Sequence, residues 1–295
     1  MKASLSSSEL ILNADGSIYH LNLLPEDIAD IIITVGDPER VSEVSKHFDS
    51  VEIKKGKREF ITHTGIYSNK RITVISTGIG TDNIDIVFNE LDALINIDFA
   101  SRKVKTEKKQ LSFIRIGTSG SIQPDIPVDS FLMSSSAIGF DNLLHFYEHG
   151  HVKNHELESA LTSYLYWADH NIHPYVVDFD ESLAKIFESN RIRYGATVTN
   201  SGFYGPQGRT LRLAPSIQDF NDKLARFSHQ NTRITNLEME TAGIYGLAKL
   251  LGHRAISLNA ILANRATGEF SEQGHKTVEE LIKYTLNAIA NSDLI

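Results

Sequence analysis

The chain has 295 residues, 41% of them hydrophobic and 22% charged, and its 29 Lys and Arg against 37 Asp and Glu give a formal net charge of −8. That length supports a substantial core without staples, and the balance excludes wholesale disorder, a coiled coil and a chain-wide nucleic-acid footprint, which needs a basic surface. There is no cysteine, which removes disulfide frameworks, zinc ribbons, iron–sulfur clusters and thiol nucleophiles, and the apolar runs fall far short of the roughly 20 residues that cross a bilayer.

Residues 1–27 read as a tail of mixed polarity, and the first ten carry no apolar core of a signal peptide, so a cytoplasmic protein is the expectation. The β-branched run 28–35 (IADIIITV) predicts a buried strand. It ends in Gly36-Asp37-Pro38, with a short helix from Glu39. Residues 51–67 alternate loosely and predict a hairpin-like pair. Residues 71–76 (RITVIS) predict a second buried strand, ending in Thr77-Gly78-Ile79-Gly80. Apolar spacing at Ile86, Phe88, Leu91 and Leu94 predicts a helix over 82–97. The stretch 101–110 (SRKVKTEKKQ) reads as a basic, solvated connector. Residues 111–116 (LSFIRI) predict a third strand that runs into a turn, Gly117-Thr118-Ser119-Gly120.

The second half predicts helices over about 154–171, 180–189, 216–229 and 238–251, strands over 192–201 and 253–264, and a closing amphipathic helix over about 277–291. Strands alternating with helices predict an α/β fold with a largely parallel sheet, and ligands in such sheets sit beyond the carboxyl ends of the strands. No repeat or low-complexity linker divides the chain, so one domain over 1–295 is expected. His145, His149, His151 and His155 are close in sequence, a spacing open to a metal. No carboxylate or cysteine frame accompanies them, and they straddle a predicted loop.

Glycine turns before helices let the backbone approach an anion and present free N–H groups. Arg40 falls in the first turn of its helix, where it can fold over a phosphate or point to solvent. Gly78-Ile79-Gly80 lacks the third glycine and the acidic partner of a dinucleotide fingerprint, and no phosphate-binding P-loop is present. Arg115 interrupts an apolar strand. Its buried charge must meet an anionic ligand or an internal carboxylate, and both remain open. Glu238-Met239-Glu240 opens a predicted helix, where acidic residues either complement the helix terminus or serve a ligand.

Seven short blocks in order resemble the nucleoside phosphorylase superfamily, and within it the uridine phosphorylases. They are Gly36-Asp37-Pro38-Glu39-Arg40, Arg58-Glu59-Phe60, Ser76 to Gly80, Arg115 to Gly120, Phe203 to Arg209, Glu238 to Glu240, and Asn264-Arg265. The resemblance implies a three-layer α/β sandwich with a mixed central sheet flanked by helices. It also implies reversible phosphorolysis of a nucleoside to a free base and a pentose 1-phosphate. By resemblance, Gly36, Arg40, Arg115 and Thr118 bind phosphate, and Arg58 reaches the neighbouring subunit's phosphate. Glu238, Met239, Glu240 and Thr118 surround the ribose, and His20 comes to it from a neighbour through the N-terminal tail. Phe203, Gln207 and Arg209 read a pyrimidine, with Arg265 behind the glutamine. Catalysis would fall to Arg115, Glu240 and Arg209. Asn264-Arg265 stands where purine-specific relatives carry a protonating Asp. A monovalent cation site is implied at Glu59, Ile79 and Asn83, with Asn83 in place of a Ser; no organic cofactor is implied, phosphate being a co-substrate. The long connector at 101–110 implies a homodimer rather than a hexamer of three dimers, with no nucleic-acid or membrane partner. The alternatives are a phosphorylase of broader base specificity and a non-catalytic nucleoside-binding protein.

Overall fold

In the computed structural model, which describes residues 4–166 and 172–293, the apolar β-branched runs form strands and the glycine-bearing joints release the chain into helices. The first half holds β1 (Ile31–Val35), α1 (Pro38–Ser45), β2 (Ser50–Lys57), β3 (Phe60–Tyr67), β4 (Lys70–Ser76), α2 (Thr81–Asn96), β5 (Ile97–Asp98), β6 (Lys103–Val104), β7 (Ser112–Ser121) and β8 (Phe131–Gly139). The second half holds α3 (His155–Leu165), β9 (Tyr175–Asp178), α4 (Glu181–Ala184), β10 (Ile192–Thr199), α5 (Phe220–Arg226), β11 (Ser228–His229), β12 (Thr232–Glu238), α6 (Thr241–Leu251), β13 (Arg254–Asn264), β14 (Glu269–Phe270) and α7 (Gly274–Ala290).

The main sheet runs β11-β12-β10-β8-β13-β7-β1-β4-β3-β2, with β9 on β8 and β14 on β13. Its centre is parallel where β1 meets β4 and β7, and where β7 meets β13. It is antiparallel at the β2–β3–β4 edge and between β13 and β8. The sheet is therefore mixed. β12 also pairs antiparallel with β7 through Asn236↔Ser121 and Leu237↔Gly120, so the path β7-β13-β8-β10-β12 closes on itself.

Helices cover both faces, making three layers. On one face α2 and α6 bury Ile84, Val87, Phe88, Leu91, Ile244 and Leu247. On the other, α1 and α7 bury Val41, Val44, Leu281, Ile282 and Leu286. A third apolar cluster joins α3 and α5 to β10 and β12 through Leu161, Phe220, Leu224, Val198 and Ile234. No helix among the described residues is long and apolar enough to cross a membrane.

Several predicted elements change. The third glycine turn is not a turn: β7 continues through Gly117-Thr118-Ser119-Gly120 to Ser121, held by β13 along its whole length. Arg115 accordingly lies mid-strand. The predicted helix 238–251 begins at Thr241, because Glu238 ends a strand. The helix predicted over 216–229 contracts to Phe220–Arg226, and Ser228–His229 turns back as a strand on β12. The segment 180–189 is one short helix followed by a 3₁₀ turn, Lys185–Phe187. Helix α3 stops at Leu165, and the rest of the predicted 154–171 helix, from 167 on, lies outside the described residues.

The N-terminal segment is more than a tail, since Leu10, Ile18, Leu21 and Leu23 are buried in the core. The 101–110 connector is exposed apart from half-buried Arg102, yet it is tied down. β6 pairs with β5, and Arg102 donates to the carbonyls of Leu5, Ser6 and Leu10.

Candidate active site

A cavity of about 730 Å³ opens where the first β-strands end and the β7–β12 pairing lies. Three helix starts reach it. Gly36 follows β1, and Asp37 caps α1 by accepting the Glu39 N–H at 2.9 Å. Arg40 stands in the first turn of that helix and lines the cavity. Burial pulls its pKa down. Gly80, at φ +97°, starts α2 and donates its N–H to Glu240 Oε1 at 2.9 Å. Gly78 at φ +70° lets the same loop pass Asn83, whose Nδ2 would lie 2.4 Å from an added Cβ.

Arg115 is the centre of charge. Its Nη2 lies 2.5 Å from Glu240 Oε2 and 3.2 Å from Glu238 Oε2, and its Nη1 donates to Asn259 Oδ1 at 3.1 Å. Burial alone lowers the pKa of this guanidinium, but Glu238 and then Glu240 outweigh it and the net direction is upward. Burial raises the pKa of Glu240; Arg115 opposes that rise and Glu238 adds to it. The two carboxylates do different work. Glu238 is saturated: it accepts from the Thr199 hydroxyl, the Glu240 and Thr241 N–H groups and the Thr241 hydroxyl. It caps α6 and fixes Arg115. Glu240 faces the cavity with Met239. Arg115 is buried and ion-paired yet lines the cavity, and its five N–H donors exceed what its protein partners take.

Phe203, Gln207 and Arg209 line the same cavity. Gln207 is 2% exposed, and its Oε1 accepts from Arg209 Nη1 at 2.6 Å. The same Nη1 donates to the Phe203 carbonyl, and the guanidinium lies 3.7 Å from the Phe203 ring centre. Burial, then repulsion from Arg265, pushes the Arg209 pKa down to about 10. Arg265 does not line the cavity. Its Nη1 holds the Gln207 carbonyl at 3.2 Å, so it supports the backbone of the glutamine rather than its amide. Asn264 is tied into its own turn by the Ala266 and Thr267 N–H groups and by the Gln123 and Ile126 carbonyls.

Among the predicted residues, Gly36, Arg40, Arg115, Thr118, Phe203, Gln207, Arg209, Glu238, Met239 and Glu240 meet around this one cavity. Arg58 and His20 do not line it. Arg58 takes φ +56° in the β2–β3 turn, while its neighbour Glu59 does line the cavity. His20 Nδ1 is 2.6 Å from Glu90 Oε1 on α2. Ile79 and Asn83 also line the cavity beside Glu59, but Asn83 turns its amide nitrogen to Glu59 Oε1 at 3.2 Å. The histidine run is held by carbonyls: His145 by His173, His149 by Tyr147 and His155 by Gly150. Sequence reading missed Phe270, which edges the cavity from β14 and is 73% exposed, and Asn259 beneath Arg115. For Asn259 the signal was present, a polar residue within the apolar run of β13.

This fold and site define a phosphorylase: the chain belongs to the phosphorylase superfamily, whose model matches residues 30–290. It is 32% identical over 294 residues to the uridine phosphorylase of Thermococcus kodakarensis, covering 97% of this chain and 92% of that one. It is 28% identical to the uridine phosphorylase of Haemophilus influenzae, covering 92% and 96%. Its structure matches that of a Trypanosoma brucei nucleoside phosphorylase that shows uridine phosphorylase activity, with a TM-score of 0.86, 28% identity, and coverage of 96% and 100%.

Proposed function

We propose that this chain is a uridine phosphorylase, a pentosyltransferase that converts uridine and phosphate to uracil and ribose 1-phosphate. The observation that carries the reading is one cavity lined both by Arg40 and Arg115 and by the Gln207–Arg209 pair. A phosphate dianion in a dry site needs charge-assisted donors, and Arg115, Arg40, the Gly36 backbone and Thr118 supply them. Glu240 accepts from the ribose hydroxyls over Met239. A phosphate oxygen bonds C1′ as the C1′–N1 bond breaks, and the N1 electron pair moves onto the uracil. Glu240 and phosphate stabilise the cationic sugar between them, and Arg209 stabilises the anionic base. Gln207 offers an acceptor and a donor to the uracil edge.

Purines fit this site less well, because Asn264 has no acidic proton to give a purine nitrogen and its amide hydrogens are spent on the Gln123 and Ile126 carbonyls. The reaction so written takes phosphate as co-substrate and calls on no organic cofactor. Arg58 and His20 act in a neighbour's site, so the working unit is a homodimer. A cytoplasmic place in pyrimidine nucleoside salvage belongs to the same reading, since ribose 1-phosphate is charged and stays on its side of a membrane.

The test is uracil release from uridine with and without phosphate, with inosine in parallel. Phosphate-dependent release from uridine, with inosine at least about tenfold slower in kcat/KM, is expected. Faster turnover of inosine would move the chain to the purine enzymes, phosphate-independent release would make it a nucleosidase, and no release would make it a binding protein.

A further inference from the structure

Arg115 is held on a third side by a residue that no carboxylate logic predicts. The side chain runs along its own strand over Gly117, where an added Cβ would lie 1.7 Å from Nη1. Asn259 on β13 stands directly across from Gly117 in the parallel register. It is completely buried, and its Oδ1 takes the Arg115 Nη1 hydrogen at 3.1 Å.

The Asn259 amide is itself fixed. Its Nδ2 lies 3.3 Å from the hydroxyls of Ser134 and Ser257. Ser257 Oγ is 2.9 Å from Thr241 Oγ1, and Thr241 Oγ1 donates to Glu238 Oε2 at 2.8 Å. Glu238 Oε2 returns to Arg115 Nη2 at 3.2 Å. The contacts close a ring from Arg115 through Asn259, Ser257, Thr241 and Glu238. An arginine only donates and an ionised carboxylate only accepts. Thr241 therefore spends its hydrogen on Glu238, Ser257 donates to Thr241, and Ser257 accepts from Asn259. Every bond has one direction, and the Asn259 amide has one orientation, which its network decides.

We infer that Asn259 is a positioning residue for phosphate, holding the Arg115 guanidinium in place with a neutral acceptor so that its charge stays available to the ligand. Glu238 and Glu240 already flank this arginine. A third carboxylate in the ring would compete with phosphate for the same cation and could not donate to Ser257. The inference rests on the phosphorylase reading, because it is phosphate that Arg115 is positioned for.

The experiment is calorimetric titration of inorganic phosphate into the wild type, Asn259→Asp and Asn259→Ala, with steady-state KM for phosphate and for uridine on each. Both variants are expected to bind phosphate about tenfold more weakly, the scale of one hydrogen bond to a charged group, with Asn259→Asp the worse. KM for phosphate should rise with KM for uridine nearly unchanged. A residue that only stabilises the fold would lower the melting temperature and the active fraction without that split. Circular dichroism reports folding, and Asn259→Ala carries the test if the aspartate variant does not fold. Equal phosphate affinity in a folded variant and the wild type overturns the inference. Wild-type protein that binds phosphate, with the variants weaker, but does not cleave uridine would overturn the substrate and leave the positioning role standing. Wild-type protein that does not bind phosphate would overturn both.

Discussion

At the scale of single residues, the site depends on where a side chain is absent as much as on where one is present. Gly117 lies in ordinary extended backbone within β7, so nothing in its conformation demands glycine. What demands it is the Arg115 guanidinium, whose Cζ would stand 2.4 Å from an added methyl. The clash is with the far end of a flexible side chain, so the strand tolerates an alanine while the guanidinium moves aside. Moving it breaks its buried contacts with Glu238, Glu240 and Asn259, so Gly117→Ala is expected to lower the melting temperature and to lose about a hundredfold in kcat/KM for phosphate, the scale of a misplacement of about 1 Å in a catalytic group. Native kinetics in this variant would show that Arg115 does not need its present path.

At the scale of elements, the joint between β12 and α6 carries both architecture and chemistry. Glu238 closes the first turn of α6 with four accepted hydrogen bonds. Glu238→Gln replaces one acceptor oxygen by a donor among donors. It is expected to cost about 1–3 kcal/mol of stability, read as a lower denaturant midpoint, and unchanged stability would contradict the capping role. The same joint explains what the sequence hid. The strands of the apolar runs at 28–35, 71–76 and 253–264 were legible because their burial is written in β-branched residues. β8 and β12 were not. Phe131–Gly139 carries three serines, of which Ser134 bonds Thr197 and Ser136 bonds Asp178. Thr232–Glu238 carries Thr235 and Asn236, which are buried through bonds to the Ala196 carbonyl and to Ser119. These polar side chains are buried because they satisfy one another across the sheet, and a reading by hydrophobicity alone takes them for loop or helix surface. The site residues were legible through their ordered blocks. The cap and the ring beneath them needed tertiary structure, since their partners lie as far apart in sequence as Arg115 and Asn259.

At the scale of the whole molecule, Arg58 and His20 are two proposed site residues that lie apart from the cavity of their own chain. The proposed dimer makes each cavity from two chains, and an isologous interface builds two such sites at once. Light scattering should give twice 32.9 kDa; the mass of six chains would replace the dimer by a hexamer and leave the chemistry intact. Mixing separately inactive Arg58→Ala and Arg115→Ala chains is the sharper measurement. A mixed dimer collects both lesions in one cavity and leaves the other whole, so part of the activity should return. No recovery in verified mixed dimers would confine Arg58 to its own subunit.

The Gln207–Arg209 contact has a consequence for how the site refuses a ligand. The buried Gln207 amide oxygen already accepts from half-buried Arg209 at 2.6 Å. Under the proposed function, a base that enters exchanges partners with them and adds few bonds in total, so a matching base gains little from hydrogen bonding itself. In the proposed reading, a mismatched base parts the pair and returns nothing, stranding the buried Gln207 amide at a cost of about 1–3 kcal/mol. If Gln207 and Arg209 read the base as proposed, discrimination there works by exclusion: the pair acts as a latch that only a base with the complementary edge can open without loss.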